Sequence, residues 1–214
     1  MRSRPAPRLS LSLTLGALVL LLGVTTSAAA QDSRLVSRFQ PATVAALDAI
    51  LDSAGARQLP TEPLVQRALE GAGRGTDPAR VVAGVRALAE RMVRAREALG
   101  HASSQNELMA GASALYLGID SAALRRIRLT QPSGDITLPL VVLADIVERG
   151  VPRDTATRVI QSLSQAGVPE ESYQVLRRSI LTDINAGAQP VTAVTARARG
   201  ILEAQRPPSG VPRP

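Results

Sequence analysis

Few residues in this chain have the type and spacing that chemistry requires. His101 is the only histidine, set in the polar run Gly100-His101-Ala102-Ser103-Ser104. A general base or a metal ligand needs partners at hydrogen-bonding or coordinating distance. The sequence offers no second histidine and no His-Glu-x-x-His spacing, so His101 reads as a loop residue. The absence of cysteine excludes disulfides, thiol catalysis and cysteine-ligated metals. Two carboxylate pairs remain, Asp145 with Glu148 and Glu170 with Glu171. Paired acids can flank a glycosidic bond, but Glu170 and Glu171 also suit a helix N-terminus, where carboxylates complement the dipole. A sugar cleft would moreover want aromatic walls, and the chain has only Phe39, Tyr116 and Tyr173. Gly71-Ala72-Gly73-Arg74-Gly75 lacks the Gly-Lys-Ser/Thr of a phosphate-binding loop and reads as a glycine-rich turn. The sequence therefore predicts no catalytic residue, no metal ligand and no cofactor.

Arginine is the one feature with a sharper alternative. All 25 lysine-plus-arginine positions are arginine. Arg125, Arg126 and Arg128 fall together, Arg177 and Arg178 are adjacent, and Arg91, Arg94 and Arg96 crowd one segment. Such groups are either solvated and internally paired, or they bind an anionic polymer or lipid headgroup. Arg125, Arg126, Arg128, Arg177 and Arg178 are accordingly the candidate anion-binding residues. Nucleic acid is a poor partner, since stacking aromatics are missing.

The elements that would position these side chains begin after residue 30. Arg2, Arg4 and Arg8 precede an apolar run from Leu9 to Val24, and Ala28-Ala29-Ala30 supplies small residues where a signal peptidase cuts. The run of sixteen is short for a span of roughly 20 residues. Cleavage near Ala30 with Gln31 as the new N-terminus is expected, sending the chain to the periplasm or outside the cell. A membrane is then met only through the signal peptide or peripherally. No cysteine follows the run, which excludes a lipid-anchored lipoprotein. Loss of the three arginines lowers the net charge from +7 to +4.

Residues 31–40 read as a flexible lead-in, 41–204 as one helical domain, and 205–214 as a disordered proline-rich tail. Alanine, leucine and arginine favour helix, and no sustained alternation of β-branched residues suggests a strand. The expected fold is all-α: about eight short helices around one long helix over 78–99. Val81, Val85, Leu88, Met92, Ala95 and Leu99 give that helix an apolar seam at spacings of four and three. Arg86, Glu90 and Arg94 on its outer face suggest a ladder of i,i+4 pairs. Ser104 and Glu107 resemble a capping box.

The joints repeat. Gly150-Val151-Pro152-Arg153-Asp154 and Gly167-Val168-Pro169-Glu170-Glu171 read as a helix stop followed by a helix start. Looser copies occur at Gly75, Gly118 and Gly187, and Gly55, Gly100 and Gly134 extend the series. Val151 should then return to Ile146, and Val168 to Leu163. One helix plus one turn per unit predicts an orthogonal or curved helical array, or a short stack of helix pairs.

The stretch Leu59-Pro60-Thr61-Glu62-Pro63-Leu64-Val65-Gln66-Arg67-Ala68-Leu69-Glu70-Gly71 resembles a pattern in uncharacterised exported helical proteins of bacteria. The resemblance implies the helical fold and brings no catalytic residue or ligand. Together these features imply an exported, non-enzymatic binding or scaffolding protein of the cell envelope, whose partner is a protein or an anionic envelope polymer. The competing readings are an arginine-mediated binder of anionic polymer or lipid surface, and a hydrolase built on scattered carboxylates.

Overall fold

The computed structural model describes residues 32–205, all in helices and short connections. The helices are α1 (Ser33–Val36), α2 (Pro41–Ala56), α3 (Glu62–Gly73), α4 (Pro78–Leu99), α5 (Gln105–Tyr116), α6 (Ser121–Thr130), α7 (Thr137–Glu148), α8 (Arg153–Gln165), α9 (Glu170–Asn185) and α10 (Pro190–Ala204). The expected signal peptide over 1–30 and the tail beyond Gln205 lie outside the described residues.

Each helix starts for a local reason. Pro41, Pro63, Pro78 and Pro190 occupy first-turn positions, where a missing amide costs nothing. Asp77 Oδ1 accepts from the Arg80 amide at 3.1 Å, and Asp120 Oδ1 from the Ala123 amide at 2.6 Å. The Ser104–Glu107 capping box forms in both directions. Thr61 occupies its expected cap position, but its side chain makes no capping bond.

The helix stops confirm the repeated turn. Gly75, Gly100, Gly118, Gly150, Gly167 and Gly187 take positive φ, which closes a helix at no steric cost. The Val151 amide donates to Ile146 O at 3.1 Å and the Val168 amide to Leu163 O at 3.3 Å. All four side chains are buried, so the turn ties backbone closure to core packing. Two glycines depart from the series. After Gly55 the left-handed position falls on Gln58 (φ 55°), and Gly134 does not take positive φ.

The helices stack in two layers. In one, α2, α4, α6, α8 and α10 pack successively side by side; in the other, α5 packs on α7 and α7 on α9. Contacts α3/α4, α4/α5, α7/α8 and α9/α10 join the layers. Each unit thus meets its near neighbours, the pattern of a stacked helical repeat. The seam predicted for α4 is inside, with Val81, Val85, Met92, Ala95 and Leu99 buried. Packing around α4 involves α2, α3, α5 and α6, whereas α7 takes over as the hub for α8 and α9. Residues such as Leu124, Ile127, Leu140, Leu143, Ile146 and Ile160 are fully enclosed. Burying each contributes about 1.5–3 kcal/mol.

The lead-in is a correction. Residues 33–36 form α1, which Asp32 caps, and Leu35 is completely buried. Leu35 anchors it with Phe39 packed against the core nearby, while Val36 stays half exposed. Arg34 clips α1 to α3, reaching both Glu62 oxygens at 2.8 Å and both Asp32 oxygens. The Arg34 hydrogen bonds, aided by Gln66, hold the Glu62 carboxyl down at about 2. Its folded pKa lies below its ordinary 4.5, so the clip is intact above pH 4.5 and is lost as pH falls towards 2. Amide exchange should show the Val36 and Phe39 amides losing protection over that interval while Val85 in α4 keeps its own. Equal loss at all three sites would contradict a local clip.

Candidate functional site

The predicted arginine group on α6 divides between two environments. Arg128 turns inward to Glu107, and their side chains are only 14% and 6% exposed. Arg128 Nη1 also donates to Gln131 O at 3.1 Å and Gly134 O at 2.8 Å. Glu107 accepts the Ser104 amide at 2.8 Å within its capping box and the Ile136 amide at 3.1 Å. One ion pair therefore fastens the start of α5, the end of α6 and the whole 131–136 connection. Arg128 is structural, and Arg125 and Arg126 remain exposed.

The other arginines disperse in the same way. Arg177 Nε donates to Asp145 Oδ2 at 2.7 Å, while Arg178, also exposed, has no ion pair among the described residues. On α4, Arg91 lies 5.1 Å over the Tyr116 ring and Arg96 donates to the carbonyls of His101 and Gln58. Arg94 lines a groove against α2. The predicted Arg86–Glu90–Arg94 ladder does not form, since no two of these approach within ion-pair distance; all three line that groove instead.

The carboxylate pairs also separate. Asp145 is held by Arg149 at 2.8 Å as well as by Arg177, while Glu148, Glu170 and Glu171 are exposed. Glu170 and Glu171 occupy the first turn of α9. The clefts described below are lined by none of these acids. Within the glycine cluster only Gly71 serves packing, since a Cβ there would stand 2.7 Å from Val81 Cγ2. Gly73 and Gly75 face open space, and Gly75 closes the helix at positive φ. Among the described residues no group of three acids or histidines is placed to hold a metal, and no helix is long and apolar enough to cross a membrane.

Three of the clefts lie along the layer of even-numbered helices, and others open beside the 100–104 and 131–135 connections and at the α7/α8 joint. One of about 750 Å³ runs between α2 and α4. Ala46, Ala49, Ile50, Ala89 and Val93 form its floor, and Arg57, Arg86 and Arg94 stand with Glu90 around it. A second, about 370 Å³, opens between α6 and α8 beside Arg126, Arg153 and Arg158. Arg158 also borders a third, between α8 and α10, which Arg199 shares. None of Arg57, Arg86, Arg94, Arg126, Arg153 and Arg158 makes an ion pair among the described residues.

Sequence reasoning missed this face. The available signal was α2, whose small residues Ala46, Ala49 and Ser53 lie off the Val44–Leu47–Ile50–Ala54 core stripe. A helix with weakly polar flanks on both sides has a second face to cover. No family model, curated protein or solved structure matches this chain.

Proposed function

We propose that residues 31–214 act after export as a non-enzymatic binding protein of the cell envelope, and that the α2/α4 groove receives a helical segment of a partner protein. The observation that carries this reading is the pairing of a small-residue floor with a cationic rim. Alanines at 46, 49 and 89 let a partner helix approach closely, the helix-in-groove mode. Three arginines against one glutamate give the rim a surplus of two positive charges, which selects a helix flanked by acidic residues. The resemblance of residues 59–71 to exported helical proteins supports the compartment.

The test uses protein recovered from the exported fraction, which should begin at Gln31; an intact Met1 would remove the cleavage reading. Two synthetic amphipathic helices share a leucine/alanine stripe, one flanked by glutamates and the other by lysines. The glutamate peptide should bind about tenfold more tightly. The gap should close between about 0.1 M and 1 M salt as screening shortens. Ala49→Trp, at an exposed position, should plug the groove and abolish binding without lowering the melting temperature. Equal binding of both peptides, or full binding by Ala49→Trp, would overturn the proposal.

A further inference from the structure

The cleft between α6 and α8 is separate from the α2/α4 groove and has a different chemistry. Its walls are mostly polar, and three arginines line it from two helices, Arg126 from α6 and Arg153 and Arg158 from α8, with Arg158 Nη2 also donating to Thr155 Oγ1 at 3.4 Å. We infer that it binds a small phosphoester.

Arg153 is held ready for such a ligand. Its Nε donates to Leu117 O at 2.8 Å, which fixes the guanidinium plane. That plane lies on the Gly118 turn so closely that a Cβ there would sit 2.6 Å from Arg153 Cζ. With Nε committed, the two terminal nitrogens are left for an anion, in the fork geometry that suits a phosphoryl group. Less side-chain freedom then has to be lost on binding.

Thr157 gives an independent indication. Four polar or charged residues of the described chain are buried, namely Ser103, Glu107, Thr157 and Ser164. Three have partners: Ser103 Oγ donates to Gly100 O, Glu107 holds its capping box, and Ser164 bonds Tyr173. Thr157 is only 7% exposed and borders the cleft; its hydroxyl bonds no described residue and is open to solvent rather than sealed in. Its hydroxyl is therefore free to exchange a water for a ligand oxygen.

The start of α8 adds donors. Pro152 precedes it without a side-chain cap, and its first backbone bond runs from the Ala156 amide to Pro152 O. The amides of Arg153, Asp154 and Thr155 are therefore unpaired, at the positive end of the helix dipole. Two acids also border the cleft. Asp120 is engaged in capping α6, and Asp154 forms no ion pair with any of the three arginines. The local charge stays positive.

Size narrows the class. At ~30 Å³ per water, 370 Å³ holds about a dozen waters, more than a bare phosphate needs. The fit is a phosphate carrying a small polar group, such as a glycerol-sized ester. Its source is either a soluble metabolite or a lipid headgroup.

Calorimetry on the mature chain with glycerol 3-phosphate should show saturable one-to-one binding at low salt. Arg126→Gln and Thr157→Val should each weaken it, Arg126→Gln about tenfold or more. Arg125→Gln, one residue outside the cleft, should leave it unchanged. Arg126 is exposed and unpaired, so its variant keeps the fold, and a thermal melt checks each protein. Co-sedimentation with phosphatidylglycerol vesicles, competed by glycerol 3-phosphate, would assign the ligand to headgroups; binding of the soluble ester alone would assign it to free phosphoesters. Equal weakening by Arg125→Gln, or no binding of glycerol 3-phosphate, overturns the site. Neither outcome bears on the α2/α4 groove, which Ala49→Trp tests separately.

Discussion

Glu107→Ala should lower the unfolding free energy of the mature chain by about 3–5 kcal/mol. The loss comes less from the missing attraction than from what is left behind. Arg128, 14% exposed, would keep its charge without a counter-ion. The Ile136 amide would lose its acceptor in a buried position, and the Ser104 amide its partner in the capping box. Each stranded donor costs about 1–3 kcal/mol. Against a total stability of about 5–15 kcal/mol, the variant is severely destabilised. Urea unfolding followed by circular dichroism measures it. The double variant Glu107→Leu/Arg128→Met should recover part of the loss, because the unpaired charge is gone while the two amides stay stranded. A single-variant loss below about 1 kcal/mol would make this pair no different from an exposed one.

The second large effect sets two glycines in helices against each other. Alanine is favoured over glycine inside a helix by about 0.8–1 kcal/mol. At Gly200 in α10 a new Cβ meets nothing within 4 Å, so Gly200→Ala should stabilise by roughly that amount. At Gly111 in α5 the same Cβ would stand 3.0 Å from Leu99 Cδ1 and 3.2 Å from Ala95 Cβ, both on α4. Overpacking a filled core costs about 1–3 kcal/mol, which cancels or exceeds the propensity gain. Gly111→Val adds further bulk and should destabilise by at least that range. Paired thermal melts read both signs. A stabilised Gly111→Val would mean that α4 and α5 do not pack as described.

Both effects depend on side chains whose importance does not show in their own segment. Ser104 and Glu107 announce a capping box, and the box forms. That Glu107 also receives Arg128 and Ile136 depends on residues up to 29 positions away in sequence. The sequence groups Arg125, Arg126 and Arg128 as neighbours, but a helix advances by 100° per residue. Arg125 and Arg126 therefore face solvent, while Arg128 points to the core side with Leu124 and Ile127. The arginines that do gather, Arg126 with Arg153 and Arg158, come from separate helices. Nothing local brings them together.

The sequence alone determined the helices from α2 onward and the joints at Gly75, Gly100, Gly118, Gly150, Gly167 and Gly187. Apolar spacing, proline at helix starts and glycine at helix ends are local signals, and local signals fix backbone conformation. It thereby placed the long helix at 78–99 and linked Val151 to Ile146. It left α1 as a loose lead-in, because four residues carry too little pattern, and only the pocket around Leu35 reveals the helix. The layering, the Glu107–Arg128 pair and the arginine-bordered clefts were decided by tertiary structure. Which helix faces which follows from burial summed over the whole chain, and no segment holds that sum.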